Sequence, residues 1–403
     1  MGLKKDWDFD KIIDRSNTGS MKWEPSVLKI KFGEGRENLL PLWVADMDFL
    51  SPGVVRKAME ERLAHQIYGY TMMDGEYNEA LISWYQRRHQ WEIKKDWILT
   101  SPGVVPATNY LVQRFTSPGD KVLIQTPVYY PFAQSIVSNG RQVLKNPLKI
   151  SDGRYQMDFD DLAKKTADPR VKLAILCNPH NPVGRVWTQK ELEQFGKICL
   201  GNNVLVFADE IHCDLIMPGF KHICFQDICD EFARHSITAN SASKTFNLAG
   251  LQQSSLIIPN EKLRNEVSIY FETLGVGGRG SGTLFGAIAT TAAYNGAEPW
   301  LEDLLLYLQD NFVYLKSSLE EQLPGVKVFD LEGTYLAWAD FRSLGLSHTK
   351  IIQIIEEEAG VALDHGDWFG ENGAGFERFN IACPRAILQR AVDAVVAGFK
   401  KYL

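Results

Sequence analysis

The residue most suited to covalent chemistry in this sequence is a lysine that follows a predicted strand. Lys244 lies in the run SASKTFN, directly after a predicted strand at 237–240 and shortly before Gly250. An amine buried at a strand end is costly to desolvate, and its lowered pKa favours nucleophilic and Schiff-base chemistry. A surface lysine at a strand end would have the same sequence, so both interpretations are open at Lys244 alone.

A pair of acids follows an apolar stretch that predicts another strand. Asp209 and Glu210 follow residues 204–208, and His212 comes two positions later. Open α/β sheets bind ligands just beyond the carboxyl ends of their strands, where one carboxylate could keep a pyridinium nitrogen protonated. The alternatives are a helix N-cap and metal binding by Asp209, Glu210 and His212. Adjacent residues of a strand point in different directions, and this spacing matches no known metal motif, so we predict no metal site.

Two further turns follow predicted strands. In the run CNPHNPVG, the prolines and the glycine fix a rigid turn in which Asn181 could donate a hydrogen bond to a ring oxygen. In the run TSPGVV, Gly103, Val104 and Val105 begin a predicted helix, whose free N–H groups and dipole favour a phosphate. Each stretch by itself is typical of an ordinary turn.

Taken together, these four stretches resemble, in order and spacing, the fold-type I pyridoxal-phosphate enzymes of the class I/II aminotransferase superfamily. The similarity covers essentially the whole chain. The runs SMKW (20–23), LWVADMDF (42–49), SASKTFNLAGLQ (241–252) and RFNIACPR (378–385) resemble the cystathionine β-lyase, or C–S lyase, branch. The resemblance implies pyridoxal 5'-phosphate as cofactor. It also implies an α/β fold like that of aspartate aminotransferase, with a mainly parallel sheet in a large domain and a smaller α+β domain.

The resemblance also assigns roles to individual residues. Lys244 is expected to bond the cofactor covalently, Asp209 to pair with its pyridine nitrogen and Tyr129 to stack on its ring, and these three are the expected catalytic residues. Asn181 is expected to face the ring hydroxyl. The other cofactor contacts that the resemblance implies are Gly103, Val104, Val105, His212, Ser241, Ser243 and, reaching over from a neighbouring subunit, Tyr70.

For the substrate, the resemblance points to Arg378 and Ala45. The planar fork of Arg378 suits an α-carboxylate, although a structural ion pair is the alternative for this arginine. Arg385 is expected to be structural. Gln252 and His212 stand where many aminotransferases have an arginine and a tyrosine. Gln252 therefore predicts a phosphate held more by neutral donors than by charge.

The activity implied by the resemblance is α,β-elimination. Cystathionine or a cysteine-type thioether would be cleaved to a thiol, pyruvate and ammonia by a homodimer with shared active sites. An aminotransferase is the nearest alternative, because it shares every step until the α-proton has left. A regulatory or binding protein on the same fold is a second alternative.

The composition agrees with a globular enzyme. The chain has 403 residues, 45% of them hydrophobic, and a net charge of −7, which gives no broad cationic surface for nucleic acid or anionic lipid. No apolar stretch has the length of a membrane span, and residues 1–6 do not begin a secretory signal. Six cysteines without paired spacing predict reduced thiols, so we expect a cytoplasmic protein.

Short apolar stretches alternate with amphipathic ones, which predicts βα units and a mainly parallel sheet. We expect residues 1–50 to form an N-terminal arm and part of the small domain, 51–295 the large cofactor domain and 296–403 the small domain. The run GVGGRG (275–280) fits a dinucleotide motif but follows a predicted helix instead of a strand, so we reject it. The predicted strands are 97–100, 121–126, 171–177, 204–208, 237–240, 255–258, 326–330, 335–341 and 376–382, and the predicted helices are 104–115, 188–200, 261–273, 299–323, 348–358 and one from 385.

Overall fold

The computed structural model describes residues 7–73, 75–276 and 282–403. The strands are β1 (Leu40–Pro41), β2 (Ile98–Ser101), β3 (Lys121–Ile124), β4 (Gln142–Lys145), β5 (Lys149–Ser151), β6 (Arg154–Gln156), β7 (Val171–Cys177), β8 (Leu205–Asp209), β9 (Ser236–Asn240), β10 (Ser254–Ile257), β11 (Lys327–Val328), β12 (Leu336–Asp340), β13 (Val361–Ala362), β14 (Asp364–His365) and β15 (Phe376–Asn380).

Helices alternate with these strands along the chain. They are α1 (Pro25–Phe32), α2 (Gly53–Ala64), α3 (Glu76–His89), α4 (Val104–Phe115), α5 (Pro131–Ser138), α6 (Phe159–Thr166), α7 (Gln189–Gly201), α8 (Asp230–Arg234), α9 (Ala242–Thr245), α10 (Glu261–Leu274), α11 (Leu284–Gly296), α12 (Glu298–Gln322), α13 (His348–Gln353) and α14 (Arg385–Phe399).

A seven-stranded sheet forms the centre of the larger lobe, in the order β2-β10-β9-β8-β7-β3-β4. All neighbours pair in parallel except β10, which runs antiparallel to both β2 and β9. Along β7, Leu173 and Ile175 pack into one apolar cluster, and Ala174 and Leu176 pack into another. A strand covered on both faces is almost continuously apolar, which is why its bounds were predictable. The mainly parallel α/β sheet is confirmed.

The second lobe has its own antiparallel sheet, in the order β11-β12-β15-β14. The predicted strand 326–330 is wrong in length, since only Lys327–Val328 pairs. The predicted helix 348–358 is α13 followed by a π-helical turn at Ile354–Glu358. β1 pairs in parallel with β13, so this part of the N-terminal arm joins the second lobe. The domain limits at residues 50 and 295 stay a prediction.

Two features named from the sequence fall partly outside the described residues. The helix α10 ends at Leu274, so the run 275–280 follows a helix as expected, but Gly277–Gly280 lie outside the described ranges, as do residues 1–6. Within those ranges, no helix is both long and apolar enough to cross a bilayer. All six cysteines are free thiols, as predicted.

The segment around Ala45 is fastened from both sides. The carboxamide of Asn380 in β15 donates to the carbonyls of Val44 and Asp46, both at 2.6 Å, and the Asn247 side chain bonds both backbone groups of Met47 at 3.0 Å. These contacts join the small lobe and the loop after α9 to one stretch of the N-terminal arm. The backbone of Ala45 is therefore held in place between the two lobes.

A buried ion cluster anchors the same stretch. Lys22 Nζ and Arg15 Nη1 each lie 2.7 Å from the Asp48 carboxylate, and Trp23 Nε1 donates to it at 2.8 Å. Burial by itself raises the pKa of Asp48, but the Lys22 charge and the hydrogen bonds from Lys22, Arg15 and Trp23 together outweigh burial and hold the pKa below its ordinary value. The run SMKW thus positions the run LWVADMDF.

Candidate active site

The ends of four strands and the N-terminal arm meet at one cavity of about 200 Å³. Its walls come from the turns after β2, β7, β8 and β9, as the carboxyl-end rule for open sheets predicts. Most of the residues predicted from the sequence line it: Ala45, Gly103, Val104, Val105, Tyr129, Asn181, Asp209, His212, Ser241, Ser243 and Lys244. Arg378 and Tyr70 do not.

Lys244 projects from the single turn of α9 into this cavity. Its Nζ donates to the Ala45 carbonyl at 2.7 Å, and the Tyr335 hydroxyl donates to the same oxygen at 2.9 Å. Burial lowers the pKa of Lys244 to about 8, and the positive charge of Arg378 acts in the same direction. At pH 7 about a tenth of the amine is therefore unprotonated and available as a base or nucleophile, far more than for an ordinary lysine.

Asp209 occupies the last position of β8 and is buried. Its Oδ1 accepts from the Ile211 N–H at 3.1 Å. Burial raises the pKa of Asp209 to about 7, although that N–H and the Lys244 ammonium act in the opposite direction. A carboxyl in this state is stabilised as an anion by any protonated base that enters the cavity.

Glu210 points away from the cavity. One carboxylate oxygen accepts from the Phe225 N–H at 2.8 Å and the other lies 3.2 Å from His222 Nε2. The two acids therefore diverge, as alternation along the chain predicts. Among the described residues, Asp209, Glu210 and His212 form no common ligand cluster.

The amino end of α4 faces the cavity, and no side chain caps its first N–H groups among the described residues. Gly103 is the N-cap and supplies no side chain, Val104 and Val105 carry the first free N–H groups, and Pro106 has none. A 12-residue helix that begins at a cavity in this way favours an anion there.

The two serines differ in what they can offer. The Ser241 hydroxyl caps α9 by accepting from Ser243 N–H at 3.1 Å and donates its proton to the Gln253 carbonyl at 2.6 Å. Its proton is thus committed inside the protein. Ser243 is half-buried in the cavity wall. Gln252 lies on the same wall and offers a neutral side chain instead of a cation.

Asn181 and Arg378 form one buried unit. Arg378 Nη1 donates to Asn181 Oδ1 at 3.0 Å, which leaves the Asn181 NH₂ group as a donor on the cavity wall. Arg378 Nη2 bonds the Trp43 carbonyl and Asp364. Its Nε is buried without a hydrogen-bond partner among the described residues. The structure therefore places Arg378 directly behind Asn181 and not on the wall itself.

The remaining predicted residues fall in three different places. Tyr129 lies on the wall, its N–H donates to the Asn181 carbonyl at 3.1 Å, and burial raises its pKa to about 12. The ring of His212 is buried there, and its Nδ1 has no partner within the described ranges. Burial lowers the pKa of His212 below its ordinary value.

Tyr70 is fully exposed, outside the cavity of its own chain. Arg385 bonds Asn311 at 2.7 Å, in keeping with its expected structural position.

Two groups that shape the site, Tyr335 and Gln253, were not predicted from the sequence. Tyr335, which fixes the Ala45 carbonyl, was taken only as the start of a strand. Gln253 accepts from Ser241 through its backbone and lies on the wall beside Gln252. A tyrosine at the start of the predicted strand 335–341 is the one signal that could have indicated Tyr335.

Comparison with known proteins identifies the family to which the chain belongs. The profile of the family described as aminotransferase class I and II matches residues 37–395. The chain belongs to this family. The family resemblance in the sequence is thereby confirmed, together with the aspartate aminotransferase-like fold.

Several individual members of the family are similar to this chain over nearly its whole length. The chain is 43% identical over 393 residues to cystathionine beta-lyase PatB of Bacillus subtilis, covering 97% of this chain and 99% of that protein. It is 37% identical to the PLP-containing structure of cystalysin from Treponema denticola, with a TM-score of 0.93 over 98% of this chain and 99% of that one. A PLP-bound putative aminotransferase from Clostridium difficile has the same TM-score at 42% identity, over 98% and 100% of the two chains.

Proposed function

We propose that this protein is a pyridoxal-phosphate-dependent C–S β-lyase that cleaves cystathionine or cysteine-type thioethers to a thiol, pyruvate and ammonia. The observation that carries the proposal is the pairing of Lys244 with Asp209 across one cavity, beside the anion-favouring end of α4. Relatives with 43% and 37% identity that bear the names cystathionine beta-lyase and C–S lyase support the elimination branch over other reactions of the family.

The described residues fit the cofactor. Asp209 has a raised pKa because the Ile211 N–H and the Lys244 ammonium only partly offset its burial, and a protonated pyridine nitrogen would supply a further cation. The N–H groups of Val104 and Val105 suit a phosphate, and the free NH₂ group of Asn181 suits a ring oxygen. The Tyr129 ring offers an aromatic face on the same wall.

Bound pyridoxal phosphate supplies an electron sink for the carbanion that forms when the substrate loses its α-proton. Lys244 Nζ takes that proton as the general base, for which a pKa near the working pH is favourable. The Ala45 carbonyl, itself fixed by Tyr335, holds the amine in position through its hydrogen bond. As an anion, Asp209 would keep the pyridine nitrogen of the cofactor protonated.

The lowered pKa of Lys244 gives a pH dependence for cofactor capture. Only the unprotonated amine can form the covalent bond, so the rate of reconstitution of the apoprotein should rise with pH and level off above about 8. Stopped-flow absorbance after mixing with pyridoxal phosphate measures this rate. A rate that keeps rising toward pH 10 would show that Lys244 titrates as an ordinary exposed lysine.

Arg378 is proposed to bind the substrate carboxylate through its unpartnered Nε and a released Nη donor. Arg378→Lys keeps the charge but loses the fork, and should raise KM by roughly 10–100-fold, the value of one charged hydrogen bond, with a smaller change in kcat. Steady-state kinetics with cystathionine measures both constants. A variant with unchanged KM and a lowered melting temperature would instead assign Arg378 the structural ion pair with Asp364.

The reaction class is tested by omitting any 2-oxo acid acceptor. A lyase releases pyruvate and thiol from cystathionine continuously without one, whereas an aminotransferase stops after a single turnover. Sustained release in the acceptor-free assay is the expected result. Activity that appears only when an acceptor is added would replace the proposal by transamination.

We also propose that the protein acts as a homodimer. Tyr70 is fully exposed, and nearby α2 borders an apolar groove of about 530 Å³ lined by Met59, Leu63 and Phe285. A second copy covering this face would bury the groove and bring its own Tyr70 toward the cavity of the first. Sedimentation equilibrium gives the mass that tests this arrangement.

A further inference from the structure

A second cavity lies beyond Asp209 along the same segment of chain. It has a volume of about 460 Å³ and is lined by His89 at the end of α3, by Cys213 and Asp214, and by His222. Asp209 itself lines the first cavity and not this one. The second cavity therefore presents a separate set of chemically reactive side chains.

Three of these side chains converge on one point. His89 Nε2 lies 2.8 Å from Asp214 Oδ1 and 3.6 Å from Cys213 Sγ. One ligand atom from each of the three residues lies within 4.8 Å of the others, and all three residues are buried. A single imidazole nitrogen thus faces both a thiol and a carboxylate.

We propose that His89, Cys213 and Asp214 bind a zinc ion. Imidazole, thiolate and carboxylate ligands together favour zinc over magnesium or calcium, which take oxygen ligands. With Zn–N of about 2.05 Å and Zn–S of about 2.3 Å, tetrahedral geometry sets the nitrogen–sulphur separation near 3.6 Å. The observed 3.6 Å between His89 Nε2 and Cys213 Sγ matches this value. The separation of 2.8 Å between His89 Nε2 and Asp214 Oδ1 has to widen toward about 3.4 Å.

The carboxylate of Asp214 is already oriented from behind. Trp84 Nε1 donates to its Oδ1 at 3.0 Å and the Thr245 hydroxyl donates to its Oδ2 at 2.8 Å. Such outer contacts fix the orientation of ligands at metal sites. Thr245 follows Lys244 in α9, so an ion held by Asp214 also braces the turn that carries the catalytic amine.

The cavity supplies both an entry path and room for a water as the fourth ligand. His222 stands in its wall with Nδ1 buried and without a hydrogen-bond partner among the described residues, and its ring centroid is 5.6 Å from that of His89. Two cations, Arg88 and Lys221, also line the cavity, but Arg88 is paired with Glu298 and Glu302. A zinc ion with one thiolate and one carboxylate is neutral overall, which lowers the cost of burial.

The proposal is tested on the holoenzyme expressed in zinc-supplemented medium and dialysed against metal-free buffer. Elemental analysis should find about one zinc ion per chain, and EDTA should remove it and lower the melting temperature. After exchange with Co²⁺, the d–d bands of tetrahedral cobalt and a thiolate charge-transfer band should appear. This spectrum reports a cysteine ligand without any substitution that could disturb folding.

Matched variants then locate the site. Cys213→Ser should lose the zinc and the cobalt–thiolate band, whereas Cys199→Ser, which alters an equally buried thiol in α7, should keep both. His89→Gln should weaken zinc retention in the same assay. A wild-type protein that takes up no zinc, a cobalt spectrum without a thiolate band, or a Cys213→Ser variant that retains the ion overturns the proposal.

Discussion

Replacing Lys244 with alanine is expected to abolish pyruvate formation from cystathionine. The variant loses the only amine on the described cavity wall, and with it both the covalent attachment of the cofactor and the base that removes the α-proton. Either loss by itself is worth 10²-fold or more, so we expect a fall in kcat of at least about 10³-fold. The visible absorption of the covalently held cofactor should disappear together with the activity.

The fold should survive this substitution. The Ala45 carbonyl keeps its hydrogen bond from the Tyr335 hydroxyl, and the removed ammonium was costly to bury. Lys244→Arg is the matched control, because it keeps a positive charge in the cavity without a nucleophilic amine. We expect it to be as inactive as the alanine variant. Pyruvate release near the wild-type rate by either folded variant would sink the assignment of Lys244.

The elements that were predicted well are those whose local sequence reports burial. The strand β7 and the helix α4 were predicted with the observed bounds, Val171–Cys177 and Val104–Phe115. The direction of β10 was not predictable, since pairing partners depend on distant strands and not on periodicity. The helices α2, α3 and α11 were missed because they pack largely against one another, and no single apolar stripe marks them.

The site shows the same division. Asp209 ends a strand, Lys244 and Asn181 follow strands, and all three were proposed from their position in the chain. The contact between Lys244 Nζ and the Ala45 carbonyl joins residues 199 positions apart, and a backbone oxygen leaves no mark in the residue types. The cluster of His89 with Cys213 and Asp214 was likewise invisible, because α3 brings its histidine from more than 120 positions away.

Asp209→Asn is the second substitution with a large expected effect. Asparagine has the same shape and can still accept from the Ile211 N–H, but it carries no charge to keep the pyridine nitrogen protonated. We expect kcat to fall about 10²–10³-fold, as for the loss of one preorganised electrostatic contact. Glu210→Gln is the matched control, since its carboxylate contacts His222 and Phe225 instead of the cavity. Equal losses in both variants would mean that general disturbance of this strand end is responsible.

Asp209→Asn should lower the activity of the holoenzyme but raise the stability of the apoprotein. The pKa of Asp209 is raised from 3.8 to about 7, so its neutral form is favoured by folding and its anion is disfavoured. The destabilisation is absent below pH 3.8, grows as pH rises, and is complete above about 7. Cofactor-free Asp209→Asn should therefore melt at a higher temperature than the cofactor-free parent at pH 8, and the difference should shrink as the pH is lowered toward 5. Scanning calorimetry of the two apoproteins measures it. A parent that is the more stable at pH 8 would mean that Asp209 already has a compensating cation before the cofactor binds.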